Sequence, residues 1–112
     1  MSKNIQAVNG VPTLMIESAS DVAGFELIDV RRPEEFNDTL GHIQGAKLVT
    51  LGPDLENYIA NLDKNKEVLF ICKSGGRSAN ATAFALNSGL TKVYNMNGGM
   101  ILWNQLNLPT EK

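Results

Sequence analysis

The only cysteine of the chain stands between a buried strand and a helix, and this placement limits what the chain can fold into. Residues 67–71 form a short, strongly apolar run, which is typical of a strand buried on both faces. Residues 77–87 are rich in alanine and leucine and predict a helix. Cys72 therefore follows the end of a strand, where the backbone must turn before a helix begins.

The loop that begins at Cys72 favours an anion. Two glycines let its backbone curl so that successive N–H groups converge, and the helix N-terminus adds unpaired N–H groups and a partial positive charge. Lysine and arginine side chains add two full charges. We therefore expect the thiolate, the nucleophilic form of the cysteine, to be favoured. The alternative is a core thiol, because cysteine is among the most buried residue types. The loop residues are Cys72, Lys73, Ser74, Gly75, Gly76, Arg77 and Ser78.

Length and composition predict one globular domain spanning residues 1–112. A hydrophobic content of 43% and a charged content of 20% are ordinary for a soluble protein. The net charge of −2 argues against general binding to nucleic acid or to an anionic membrane. A single cysteine excludes an internal disulfide and a CxxC site. Because no apolar run suggests a signal peptide or a membrane span, we expect a cytoplasmic protein.

Strands and helices alternate along the chain with short connections. Strands are predicted at residues 26–30, 47–50, 67–71 and 92–96, with a short edge strand within residues 1–11. Helices are predicted at residues 12–18, from residue 33, and at residues 53–62, 77–87 and 100–106. This order indicates an α/β fold with three layers, in which helices cover a central, mainly parallel sheet of about five strands. In such folds the ligand site lies at the carboxyl ends of the strands, where Cys72 is found.

Three segments, in this order, resemble the single-domain rhodaneses, a family of sulfurtransferases. Residues 27–31, 34–36 and 41–46 are similar to the first signature of that family, and residues 72–78 are similar to its active-site loop. The pair Gly98-Gly99, together with Trp103 and Pro109, resembles its closing signature. The resemblance extends from about Leu27 to Pro109 and implies a rhodanese-like fold.

The resemblance also implies a reaction. The Cys72 thiolate would take sulfur from a small anionic donor such as thiosulfate and carry it as a persulfide to cyanide or a thiol, with a protein as another acceptor. The backbone N–H groups of the loop would hold the persulfide, and no metal or organic cofactor is required. Lys73 would attract the donor, and Arg77 would hold the loop or an anion through its planar fork. Ser74 and Ser78 offer hydroxyl hydrogen bonds.

Four further residues are expected to support the site. Asp29 ends a buried strand and needs partners, so we expect it to brace the loop or Arg31. His42 is the only histidine, and a structural hydrogen bond is a simpler role for it than general base, since a thiolate needs none. Trp103 is expected to pack in the core.

Other functions stay open at this point. Cysteine phosphatases and arsenate reductases also combine a cysteine, an anion-binding loop and an arginine, but they place five residues between the two. Here four residues separate Cys72 from Arg77, and such a short loop suits one sulfur atom better than a tetrahedral oxyanion. A persulfide carrier or a regulatory module that works with a protein partner would use the same loop.

Overall fold

The computed structural model describes residues 3–112 and shows an α/β fold in that range. The strands are β1 (Ile5–Val8), β2 (Val11–Leu14), β3 (Glu26–Asp29), β4 (Lys47–Leu48), β5 (Val68–Ile71) and β6 (Val93–Met96). The helices are α1 (Pro33–Phe36), α2 (Pro53–Ala60), α3 (Gly76–Asn87) and α4 (Gly99–Gln105), and a 3₁₀ turn spans Ala19–Val22. No helix among the described residues is long and apolar enough to cross a membrane.

The strands form one sheet in the order β1-β2-β6-β5-β3-β4. Every neighbouring pair is parallel except β1 and β2, which are antiparallel. The predicted mainly parallel sheet is therefore confirmed. It has six strands instead of about five, because the N-terminal segment contributes two.

The N-terminal segment forms a hairpin, and the helix predicted at residues 12–18 is wrong. Asn9 and Gly10 have φ angles of 51° and 79°, the positive values that a tight two-residue hairpin turn requires. The chain then continues as β2, in which Thr13 is in register with Asn95 of β6. Pairing on both sides of β2 overrides the helix-start signal of Pro12, a local preference worth less than a full set of strand hydrogen bonds.

The sheet buries side chains on both faces, as predicted for a parallel sheet between helices. All four residues of β5 are buried. Because side chains alternate along a strand, Val68 and Phe70 pack with α2 and α3, whereas Leu69 and Ile71 pack with α4. Trp103 of α4 belongs to this second cluster, and its indole Nε1 donates to Pro109 O at 2.9 Å.

The N-terminus of α4 fixes the chain that leaves β5. Met100 N donates to Cys72 O at 2.8 Å, and Ile101 N donates to Lys73 O at 2.9 Å. These two helix-terminal N–H groups would otherwise lack backbone partners. The approach is close, since a Cβ added to Gly99 would lie 2.5 Å from Cys72 O and from Lys73 O. Only glycine therefore fits where α4 meets the loop.

We predict that Gly99→Ala destabilises the protein far more than Gly45→Ala. Both glycines have positive φ, 59° and 86°, but a Cβ at Gly45 would meet no atom within 4 Å. Backbone strain alone should cost Gly45→Ala about 1–2 kcal/mol, and the added clash should cost Gly99→Ala about 1–3 kcal/mol more. Urea unfolding measures both values. Equal losses in the two variants would contradict the close contact between α4 and the loop.

Candidate active site

The loop after β5 closes around the sulfur of Cys72. Gly75 N donates to Cys72 Sγ at 3.1 Å, and Ser78 Oγ lies 3.2 Å from the same sulfur. The turn depends on Gly75, whose φ of 108° is in the left-handed region. Cys72 is only 1% exposed, so the sulfur lies at the inner side of the loop and faces the first turn of α3. The thiol is thus buried, as in the alternative of a core cysteine, and it is also enclosed by the loop that was predicted to bind an anion.

Asn95 joins the loop from the neighbouring strand β6, and the sequence analysis missed it. Its Nδ2 donates to Gly75 O at 3.1 Å, and its Oδ1 is hydrogen-bonded to Ser78 Oγ. Asn95 is 7% exposed and Ser78 is fully buried. A signal existed in the sequence, because an asparagine between apolar neighbours in a buried strand requires a hydrogen-bond partner.

The two cations of the loop have different surroundings. Lys73 is exposed, and within residues 3–112 it forms no ion pair. Arg77 makes a bidentate pair with Glu35 of α1, with Nη1–Oε1 and Nη2–Oε2 distances of 2.7 and 2.8 Å. The hydrogen bonds from Arg77 lower the pKa of Glu35 to about 2, and those to Glu35 raise the pKa of Arg77. The Arg77 fork thus holds the loop to α1, the first of its two expected roles.

Two of the residues expected to support the site, Asp29 and Arg31, lie beside the pair formed by Arg77 and Glu35. Arg31 is 1% exposed and pairs with Asp29, its Nη2 lying 2.7 Å from Asp29 Oδ2. The same guanidinium donates to Gly41 O at 2.8 Å and to the backbone O of Glu35 at 3.3 Å. Asp29 therefore braces Arg31, and Arg31 positions the carbonyl groups around α1.

His42 and Trp103 lie away from the sulfur and make structural contacts. The His42 ring stacks on Phe36, with 3.8 Å between centroids, and its Nδ1 is 2.9 Å from Phe36 O. The Trp103 side chain of α4 is buried in the core. Among residues 3–112 there is no group of three or more histidine, cysteine or acidic side chains placed to hold a metal ion.

Two of the clefts beside the loop are lined by both Lys73 and Glu35. The larger, about 510 Å³, also contains the side chains of Arg32 and Arg77, so three cations face one carboxylate. The smaller, about 230 Å³, is bordered by Leu40 and other residues of the stretch after α1. An anion that enters the larger cleft would approach the loop from the side on which the positive charges lie.

We predict that the pair between Glu35 and Arg77 makes stability depend on acidity. The pKa of Glu35 is lowered from 4.5 to about 2, so its contribution is complete above the ordinary value and is lost as the pH falls from 4.5 towards 2. The unfolding free energies of wild type and Glu35→Gln should differ by about 1–2 kcal/mol near neutral pH, and this difference should shrink below pH 4.5 to about half its size by pH 3. Urea unfolding between pH 7 and 3 checks this.

Glu34→Gln is the matched control, because Glu34 is on the same helix but its side chain is 71% exposed. Its unfolding free energy should stay close to that of the wild type throughout the range. A constant difference between Glu35→Gln and wild type from pH 7 to 3 would show that the pair does not depress the Glu35 pKa.

Comparisons with known proteins place the chain in a family. The sequence profile of the rhodanese-like domain family matches residues 14–106, which include β3 to β6 and the loop. Thiosulfate sulfurtransferase 16, chloroplastic, of Arabidopsis thaliana is 35% identical over 101 residues, covering 80% of this chain and 82% of the plant protein.

Solved structures agree with this match. A rhodanese-related protein from Thermoplasma volcanium superposes with a TM-score of 0.70 at 27% identity, covering 80% of this chain and 86% of that one. A Rhodopseudomonas palustris protein, described as of unknown function and a possible tyrosine phosphatase, gives 0.72 at 30% identity, covering 82% and 74%. The family profile, the plant relative and the fold together show that this chain belongs to the rhodanese family of sulfurtransferases.

Proposed function

We propose that the chain moves sulfane sulfur from thiosulfate, or from another persulfide donor, to cyanide or a thiol through a persulfide on Cys72. The observation that carries this proposal is the closed loop. Gly75 N–H and the Ser78 hydroxyl lie within hydrogen-bond distance of the sulfur, at the N-terminus of α3. The preorganised N–H dipoles of the loop act where negative charge is found, on the thiolate and later on the terminal sulfur of the persulfide.

In the first half-reaction the Cys72 thiolate attacks the outer sulfur of thiosulfate. A bond forms between Sγ and that sulfur as the sulfur–sulfur bond of thiosulfate breaks. The electron pair of the broken bond leaves with sulfite. Cys72 then carries a terminal sulfur with one negative charge, so charge and atoms balance without a proton transfer.

In the second half-reaction an acceptor removes the terminal sulfur. Cyanide or a thiolate attacks it, the bond to Sγ breaks, and Sγ keeps the electron pair. The products are thiocyanate or an acceptor persulfide, and the Cys72 thiolate is restored. Because the two substrates react in turn at one atom, the kinetics should be ping-pong.

Charge around the larger cleft supports an anionic donor. Arg77 is paired with Glu35, whereas Lys73 is exposed and lines the cleft without an ion-pair partner among residues 3–112. A flexible ammonium attracts an anion over a distance without the geometric demands of a guanidinium. We therefore assign the attraction of the donor to Lys73 and the bracing of the loop to Arg77.

Phosphate-ester hydrolysis is a second candidate, favoured by the description of the Rhodopseudomonas palustris relative. A cysteine phosphatase needs an acid to protonate the leaving alcohol. Glu35 has a pKa of about 2, since Arg77 holds it, and it is ionised at neutral pH. The carboxylate that touches the loop arginine is therefore not that acid. Hydrolysis of an aryl phosphate by the wild type, lost in a Cys72 variant, would favour this candidate over sulfur transfer.

A persulfide carrier uses the same atom and differs only in turnover. Such a carrier would form a stable persulfide at Cys72 yet would not turn over thiosulfate with cyanide or a small thiol. A protein acceptor would then be required.

We predict that Cys72→Ser abolishes thiosulfate:cyanide sulfur transfer and leaves the fold intact. A serine hydroxyl has nearly the same shape but forms no stable persulfide, so formation of thiocyanate should fall to the uncatalysed background. The unfolding free energy should change by no more than about 2 kcal/mol, because one buried atom is exchanged. Near-wild-type activity in the folded variant would exclude Cys72 as the nucleophile.

We predict that Lys73→Ala raises the KM for thiosulfate about three- to tenfold and changes kcat little, because a charge that attracts the donor is lost. Lys92→Ala is the control, since Lys92 is an exposed lysine just before the amino end of β6. Steady-state kinetics at low and high ionic strength give both values. An unchanged KM, or an equal effect of Lys92→Ala, would remove Lys73 from the donor site.

A further inference from the structure

The Ser78 hydroxyl has one proton but three possible acceptors within hydrogen-bond distance. Its oxygen lies 3.2 Å from Cys72 Sγ and 3.3 Å from Gly75 O, and it is hydrogen-bonded to Asn95 Oδ1. A serine hydroxyl has a single proton and two lone pairs. The direction of that proton therefore decides whether Ser78 donates to the sulfur or accepts from it.

Asn95 determines that direction. Its Nδ2 donates to Gly75 O at 3.1 Å, and the reverse orientation would place two oxygen atoms against each other. The Oδ1 atom is thereby held towards Ser78, and an amide oxygen only accepts. The hydroxyl proton is consequently drawn to Asn95, and the lone pairs of Ser78 Oγ face the sulfur.

We propose that Asn95 is a positioning residue that sets the charge state of Cys72 through the Ser78 hydroxyl. With the proton on the Asn95 side, Ser78 accepts a hydrogen bond from the neutral thiol. When the thiol loses its proton to solvent, the hydroxyl must rotate to donate to the thiolate, and Asn95 Oδ1 loses its donor. Ser78 and Asn95 together therefore destabilise the thiolate, whereas the loop N–H groups stabilise it.

The same arrangement favours the loaded state relative to the resting thiolate. In a persulfide the negative charge lies on the terminal sulfur, and Sγ is neutral. The Ser78 hydroxyl then has no charge to face and can return to Asn95 at no cost. Asn95 thus raises the free energy of the resting thiolate relative to the persulfide, so sulfur transfer onto the thiolate becomes more favourable while the fraction of thiolate is lowered.

The charged groups around the sulfur do not depend on the hydrogen bond between Asn95 and Ser78. They are Arg77 on α3, Lys73 in the loop, Glu35 on α1, and the Asp29–Arg31 pair at the end of β3. Asn95 hydrogen-bonds to none of these charged side chains, so a change at Asn95 leaves each of them in place.

Asn95→Leu tests the proposal, because leucine keeps the size and removes both polar atoms. Gly75 O retains the hydrogen bond from Ala79 N at 3.0 Å. The thiolate fraction is measured by its ultraviolet absorbance near 240 nm, against Cys72→Ser as blank, at the pH where the wild type is half ionised. The ratio of thiolate to thiol should rise about tenfold in Asn95→Leu, the effect of one hydrogen bond redirected to a charged atom.

The Ser78→Ala variant distinguishes an effect of Asn95 that acts through the Ser78 hydroxyl from a general loosening of the loop. Without the hydroxyl there is nothing to redirect, so adding Asn95→Leu to Ser78→Ala should leave the ratio unchanged. Thr82→Val is the matched control for a buried polar group, since Thr82 Oγ1 donates to Ser78 O at 2.7 Å and does not contact Ser78 Oγ; its ratio should equal that of the wild type. Far-UV circular dichroism checks folding, and Asn95→Ala replaces Asn95→Leu if the latter does not fold.

An unchanged ratio in Asn95→Leu, or an equal rise with and without the Ser78 hydroxyl, would overturn the proposal. The inference rests on Cys72 as the nucleophile proposed above. The absorbance measurement needs no sulfur donor, however, so its failure is distinguishable from a failure to transfer sulfur.

Discussion

The structure depends on how the chain closes around one sulfur atom at the end of β5. Within four residues of Cys72 the backbone reverses into α3, and the reversal brings Gly75 N–H to the sulfur it has just passed. The left-handed Gly75 makes the turn possible, and α4 holds its outer side through the carbonyl groups of Cys72 and Lys73. The loop proposed as the active site is therefore fixed by two helices and a fully buried strand, which limits its freedom to move.

Ionic contacts extend this support outwards from the core. Asp29 neutralises the buried Arg31, Arg31 donates to the backbone O of Glu35, and the Glu35 carboxylate holds Arg77 at the start of α3. Buried ion pairs contribute little net stability compared with apolar residues of similar size, so their value here is geometric. They connect the ends of β3 and β5 through α1, so the loop and the helix that borders its clefts form one unit.

Local sequence patterns were enough to predict the sheet, most of the helices and the loop. The apolar run at residues 67–71, the glycine pair and the alanine-rich helix each carry their signal within a few residues. The edge strand at the N-terminus was predicted, but the second strand of the hairpin was not, because Pro12 favours a helix start locally, whereas the pairing of β2 with β6 joins residues about 80 positions apart. Glu35 and Asn95 were missed as site residues for the same reason: their partners Arg77 and Ser78 are 42 and 17 residues away.

Intact-protein mass spectrometry after incubation with thiosulfate tests most directly whether the loop lets Cys72 accept and hold a single sulfur atom. We expect the wild type to gain one sulfur atom, to lose it on addition of cyanide, and Cys72→Ser to gain none. A wild-type protein whose mass does not change, or a Cys72→Ser variant that gains the same mass, would contradict the account.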